Sequence, residues 1–326
     1  MKVIIQIPCY NEAETLKATL EDLPRKLEGV DVVEWLVIDD GSTDDTSAVA
    51  RGCGVDHVVS IPRNRGLASA FSTGLAACLE CGADVIVNTD ADNQYSAADI
   101  PKLVAPILQG RAEMVIGERD IAGIEHFSFL KKCLQKLGSS VVRSLSHTDV
   151  GDAPSGFRAI SRSAASRLNV FSEYTYTLET IIQAGQNGIS IVSVPIRING
   201  KTRPSRLVKS IPSYVKRSVL TMFRIFLIYR PMRVFLLMAS ICGFFGLLLG
   251  LRFLFFFLTG DGAGHVQSLI LTALLLGSSL GFFVLALLAD LIAVNRRLLE
   301  KTNWRLGQIE ERLAQFESNH IGADRS

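Results

Sequence analysis

Three oxygen-bearing side chains, Asp90, Asp92 and Gln94, alternate with Ala91 and Asn93 in NTDADNQY, residues 88–95. They follow the apolar run Val85-Ile86-Val87, which reads as a buried strand, so the acids stand where a strand ends. Hard carboxylate and amide oxygens suit Mg2+ or Mn2+. So short a DxD supplies few ligands, and water and a substrate diphosphate would fill the rest. A metal held in this way neutralises the charge that builds on a departing diphosphate. The alternative use of the same residues is an acid-rich loop that caps a helix.

Other polar stretches share this placement. Val3–Ile7 predicts a buried strand running into PCYNEAETL, and Trp35–Ile38 a second that ends in DDGSTDDT. His57–Ile61, Met114–Ile116 and Ile191–Val194 are further strand candidates. Ser42, with Asp45 three residues on, has the form of a helix N-cap. Leu67, Phe71, Leu75 and Leu79 recur every four residues and mark one helix face; Cys78 and Cys81 fall in that helix or its last turn. Strands alternating with helices predict an α/β domain with a mostly parallel sheet. In such sheets ligands lie beyond the carboxyl ends of the strands. Pro8–Glu12, Asp39-Asp40 and Asp90–Gln94 are all expected at that edge.

The rest of the chain bounds the setting. Its 326 residues carry a net charge of +2, which argues against a general attraction to nucleic acid. Residues 231–258 contain only Arg233 and Arg252 as charges, and 266–294 only Asp290. Each is long enough for a membrane span, which needs roughly 20 apolar residues. The connector 259–265 lacks Lys and Arg, whereas Lys216, Arg217, Arg224, Arg230 and Arg233 precede the pair and Arg296, Arg297, Lys301 and Arg305 follow it. That bias predicts cytoplasmic flanks around a multi-pass hairpin in the cytoplasmic membrane. The opening MKVIIQIPCYNE has too short an apolar run for a signal peptide. Cys78 and Cys81 form one CxxC with no second pair and no neighbouring His in sequence, so a zinc site is not expected. No GxGxxG follows the first strand, and neither a Walker GxxxxGK[ST] nor a GxSxG elbow is present.

IPCYNE, VIDDGSTDDT, RNRGLASAFSTGL, NTDADNQY and APSGFRAISR occur in the order seen in family-2 glycosyltransferases. The chain resembles most the polyprenyl-phosphate branch, typified by dolichyl-phosphate mannose synthases and undecaprenyl-phosphate glucosyltransferases. The resemblance covers residues 1–230 and implies a GT-A fold, with a membrane hairpin behind it. It implies a nucleotide site at Pro8, Tyr10, Asn11, Glu12, Ile38, Asp40, Asp90 and Ala91. It implies metal ligation by Asp92 and Gln94, with Asp90 beside them, and a phosphate-binding arginine at Arg119. The donor would be a UDP- or GDP-linked sugar.

The acceptor implied is a polyprenyl phosphate of the undecaprenyl type, with its headgroup at the membrane surface. Lys131, Lys132, Arg158 and Arg203 are the cations expected to meet that phosphate; the family more often has arginine near position 131. Residues 1–206 are then the catalytic domain, 207–230 an interfacial amphipathic helix, 231–258 and 266–294 the spans, and 295–326 a helical tail. A phosphate monoester has a second pKa of about 6 and attacks as a dianion, which predicts one inverting displacement without a catalytic histidine. Asp152 and Glu179 are the candidate bases or orienting groups. Gly246/Gly250 and Gly277/Gly281 are GxxxG pairs. Leu299, Leu306 and Leu313 form a short heptad seam suggesting a homo-oligomer. A processive polysaccharide synthase would carry QxxRW and more spans; an inactive nucleotide-binding scaffold would not need an intact DxD; a sugar nucleotidyltransferase would open on a Gly-rich start instead of PCYNE.

Overall fold

The computed structural model describes residues 1–119, 140, 142–143, 146, 148–168, 170, 176–199, 220, 223–224, 227, 230–260 and 262–323. The chain divides into two compact units, Met1–Ser218 and Val219–Ser326.

The first unit is built on seven strands among the described residues: β1 Lys2–Cys9, β2 Val32–Asp39, β3 His57–Ser60, β4 Val85–Asn88, β5 Met114–Arg119, β6 Arg158–Ser161 and β7 Ile191–Ile196. Their order is β3-β2-β1-β4-β6-β5-β7. All pairs are parallel except the two made by β6, which runs antiparallel to β4 and β5. The expected α/β class and mostly parallel sheet are therefore found. The sequence reading missed β6. It is four residues long and opens on an arginine, a residue that ordinarily marks a surface.

Helices α1 (Ala13–Asp22), α2 (Thr46–Gly52), α3 (Leu67–Glu80), α4 (Ile100–Leu108), α5 (Arg162–Ala165) and α6 (Thr177–Gln186) accompany the sheet. β1 is apolar at nearly every position and buried along its length, as a strand covered on both faces must be. Phe71 and Leu75 on α3 are buried, as their spacing predicted, and Leu79 is half-buried, whereas Leu67 in the first turn is exposed. α3 lies very close to the sheet at Gly74, where an added Cβ would stand 2.5 Å from Ile38 Cδ1 and 2.6 Å from Gln6 Oε1. Only glycine permits that approach. The N-cap reading of Ser42 is corrected. α2 begins at Thr46, and the Ser42 hydroxyl instead accepts the Asn11 backbone N–H at 2.9 Å.

Gln6 and Asn88 are buried polar residues inside apolar strands. Gln6 Nε2 donates to Asn88 Oδ1 at 2.9 Å, and Asn88 Nδ2 donates to Gly156 O at 2.8 Å and Tyr176 Oη at 2.9 Å. The Tyr176 ring stacks on Phe71 with centroids 3.9 Å apart. A network satisfied in this way fixes one arrangement of the strands and of the loop around Gly156.

In the second unit, α7 (Pro231–Leu258) and α8 (Val266–Ala323) are joined by a 3-10 turn, Gly262–His265. Pro231–Leu258 and Val266–Arg296 have mean hydropathies of 2.5 and 2.3 and are long and apolar enough to cross a membrane. Small residues let them approach. Ser279 Oγ donates to Ala239 O at 2.8 Å, and Cβ atoms added at Gly246 and Gly250 would meet Leu276 and Thr272 at 3.0 and 3.1 Å. The second GxxxG differs: Cβ atoms at Gly277 and Gly281 would meet nothing within 4 Å. The heptad tail is the continuation of α8.

Candidate active site

β1, β2 and β4 are parallel neighbours and end at Cys9, Asp39 and Asn88. Their following loops therefore emerge side by side, and these are the loops that carry the predicted residues.

The β1 loop turns on Asn11, whose φ of 54° lies in the left-handed region that asparagine tolerates better than most residues. Its Oδ1 accepts the Thr43 N–H at 2.8 Å and so ties this loop to the one after β2. The Glu12 backbone N–H is held by Thr46 Oγ1 at 2.9 Å, and its carboxylate accepts from Thr15 Oγ1 at 2.8 Å. Tyr10 is 42% exposed. Pro8 pairs with Ile38 across β1 and β2, and both are buried. Asp39 accepts from Ser42 N at 2.9 Å, bracing its own turn. Each Asp40 oxygen accepts one backbone N–H, from Arg65 at 2.9 Å and Gly66 at 2.8 Å. Asp40 thus orders the loop that leads into α3.

Asp90, Asp92 and Gln94 are all half-buried, whereas Ala91 between them is buried. The loop is pinned from two sides. Thr19 Oγ1 on α1 donates to Ala91 O at 2.8 Å. Asn199, beyond β7, donates its backbone N–H to Gln94 O at 2.9 Å and its Nδ2 to Asn93 O at 3.0 Å. Asn93 takes a φ of 53°. Behind the loop, Gly156 packs against Asp90: a Cβ there would stand 3.2 Å from Asp90 Oδ1 and 3.0 Å from Tyr176 Oη. The Gly156 N–H donates to Tyr95 Oη at 3.1 Å.

Burial and like charge act together at this edge. The Asp90 carboxyl is pushed up to about 7, first by burial and then by the charge of Asp92, with Glu12 adding to it; Arg119 and Arg158 pull the other way without compensating. Among the described residues, no three His, Cys, Asp or Glu side chains form a closed metal cage. Two carboxyl groups beside an amide are a set of hard oxygen donors, which fits a divalent ion that shares its coordination with substrate oxygens.

Arg119, at the end of β5, and Asp152 form a two-pronged pair: Nε to Oδ2 at 2.6 Å and Nη2 to Oδ1 at 3.0 Å. Asp152 is fully buried, and both its oxygens hold the guanidinium. It therefore braces Arg119. Glu179, also a candidate base, is a buried residue of α6.

Arg158 is the clearest correction. It was expected at the acceptor phosphate, yet it is 0% exposed. Its Nε donates to Ser155 O at 2.8 Å, Nη2 to Ala153 O at 2.9 Å and Nη1 to Thr180 Oγ1 at 2.6 Å. It splints the 153–156 loop against α6. Lys131, Lys132 and Arg203, the other predicted acceptor cations, lie outside the described residues, as does most of 207–230. Gln6, Asn88, Tyr95, Tyr176 and Asn199, which hold the Asp90 loop and its backing, were not singled out from sequence. Asn88 and Gln6 do carry a signal, since each is a lone polar side chain within a buried run.

Comparison with known proteins agrees with this geometry. The glycosyl transferase family 2 model matches residues 4–168. A UDP-N-acetylglucosamine–dolichyl-phosphate N-acetylglucosaminyltransferase of Methanococcus voltae is 32% identical over 220 residues, covering 60% of this chain and 84% of that protein. The undecaprenyl-phosphate mannosyltransferase of Micrococcus luteus is 29% identical over 206 residues, covering 60% and 83%. In fold, the chain is similar to glucosyl-3-phosphoglycerate synthase from Mycobacterium tuberculosis, with a TM-score of 0.52 at 24% identity, covering 68% of this chain and 79% of that one. The motifs, the sheet and these relatives agree: the chain belongs to glycosyl transferase family 2 and is a glycosyltransferase with a GT-A-like fold.

Proposed function

We propose that this enzyme transfers a sugar from a nucleoside-diphosphate sugar, UDP- or GDP-linked, to a polyprenyl phosphate of the undecaprenyl type. The observation that carries the proposal is the meeting of Pro8–Glu12, Asp39-Asp40 and Asp90–Gln94 at one sheet edge of a chain that continues into two long apolar helices. Relatives named for dolichyl- and undecaprenyl-phosphate acceptors support the lipid half.

In this reading the base and ribose lie over Tyr10 and against Pro8, Ile38 and Asp40, and the diphosphate lies along Asp90–Asp92. Asp92 and Gln94, with Asp90, would hold Mg2+ or Mn2+, which when bound offsets the negative charge of the leaving diphosphate. Arg119 is held in place by Asp152 and presents its remaining donors as a fixed cation for phosphate. The acceptor phosphate is already a dianion near neutral pH, so it displaces the nucleotide in one inverting step without a side-chain base. Lys131, Lys132 and Arg203 remain the proposed acceptor cations. Lys and Arg on both flanks of the apolar pair support a catalytic domain on the cytoplasmic side of the membrane.

The test is a membrane fraction given labelled UDP-sugars or GDP-mannose, with and without polyprenyl phosphate. Label entering the organic phase only with the lipid is expected. Label in a polymer would select a processive synthase, and no transfer from any donor would sink the reading.

Proton linkage gives a second test. The Asp90 pKa is higher in the fold than its ordinary value of 3.8, so the fold disfavours the charged form. Stability attached to this group is present below pH 4 and is lost as pH rises toward about 7. A cation that binds the charged form reverses the loss. Mn2+ should therefore raise the melting temperature more at pH 8 than at pH 6 and release protons on binding near neutrality. Equal shifts at both pH values would remove Asp90 from the ligand set.

A further inference from the structure

A second constellation lies at the other end of the sheet from the carboxylates. Glu34 on β2, His57 at the start of β3 and Cys81 just past α3 are far apart in sequence; the β2–β3 register brings Glu34 and His57 together, and the end of α3 sets Cys81 beside His57. Cys81 Sγ is 3.8 Å from His57 Nδ1, and His57 Nε2 is 2.7 Å from Glu34 Oε2. Lys2 Nζ holds the same Glu34 oxygen at 2.7 Å. Each of the three side chains is partly open to solvent.

We propose that Cys81 is a reactive thiol and a modification site for low-molecular-weight disulfides and small alkylating electrophiles, with His57 as its base and Glu34 as the group that sets the imidazole.

The order of the contacts supports this. Burial works against ionisation of Glu34, but hydrogen bonds from Lys2 and His57 outweigh it and hold its carboxyl below the ordinary range. An ionised Glu34 keeps the proton of a neutral His57 on Nε2. The Nδ1 lone pair then faces Cys81, and this is the tautomer a general base needs. Nucleophile, base and orienting acid stand in the sequence that activates nucleophiles generally. Cys81 caps the C-terminus of α3 with His57 Nδ1 beside its sulfur. The proton therefore moves to His57 as the sulfur attacks.

With a disulfide R–S–S–R, the Cys81 sulfur bonds to one R–S sulfur while the S–S bond breaks. The released R–S⁻ takes the proton that His57 accepted from Cys81 and leaves as a thiol, and the product is a mixed disulfide on Cys81. No further oxidant is required. Cys78, one turn earlier, is fully buried, and burial raises its thiol far above the ordinary range, so it stays inert.

Cys53 is the internal reference, since it is also half-buried but has no such histidine contact among the described residues. Full-length protein in detergent is treated with glutathione disulfide, and separately with iodoacetamide, and each cysteine's modification is followed by peptide mass spectrometry. Cys81 should react about tenfold faster than Cys53 or more in the folded protein, in line with general-base assistance, and at a similar rate in urea. His57→Gln should bring Cys81 down to the Cys53 rate without changing Cys53. Should that variant fail to fold, Glu34→Gln gives the same readout, with Cys81 slowed several-fold. A native Cys81 rate no higher than that of Cys53, or one unchanged in the variants, would overturn the proposal. Neither result depends on sugar transfer.

Discussion

Asp92→Ala is expected to lower sugar transfer about a thousandfold, equivalent to roughly 4 kcal/mol at the transition state, while leaving the fold intact. The side chain is half-buried at a loop and accepts from Gln94 N, two residues away, at 3.2 Å. The backbone of its loop is instead held by Thr19 at Ala91 and by Asn199 at Asn93 and Gln94, and these contacts survive the substitution. Circular dichroism and the melting temperature should match the parent protein, and the rate should collapse. Full activity in this variant would remove Asp92 from the metal site.

Arg158→Met should act in the opposite way, destabilising the sheet domain by about 3 kcal/mol. The methionine fills similar space but supplies no donors. The Ser155 and Ala153 carbonyls are left buried without the guanidinium, at about 1–3 kcal/mol for each unsatisfied group. The loop that loses its splint is the one that presses Gly156 against Asp90, so activity should fall together with stability. Denaturant titration measures the first effect. A variant of unchanged stability that loses only affinity for the acceptor would restore Arg158 to the phosphate site.

These two residues also show what the sequence could reveal. The Asp90–Gln94 stretch was legible because a buried apolar run meets hard oxygen ligands at a strand end, and both periodicity and chemistry are local. Pro8–Glu12 and Asp39-Asp40 were legible for the same reason. Arg158 was not, because a residue's type does not state its burial. A guanidinium near a predicted phosphate reads as a ligand until its donors are seen on Ser155, Ala153 and Thr180. β6 escaped with it, since its strand starts on that arginine. Asp152 read as a base or an orienting group, and its partner Arg119 stands 33 residues away in sequence. The Gln6–Asn88–Tyr176 network joins residues up to 170 positions apart, and no window along the chain contains it. Cys81 was placed only in a helix or its last turn, since His57 is 24 residues away in sequence and nears it only in the fold. The apolar helices are the reverse case: composition alone located them, and the structure added which glycines face the partner helix.

The central claim is that the Asp90–Gln94 edge binds a divalent ion together with a nucleotide diphosphate. Calorimetric titration of the full-length protein with UDP and with GDP, in Mn2+ and then in EDTA, tests it most directly. At least one nucleotide should bind in Mn2+, lose most of its affinity in EDTA, and fail to bind Asp92→Ala under either condition. Binding that is equally tight in EDTA, or unchanged in Asp92→Ala, would contradict the account.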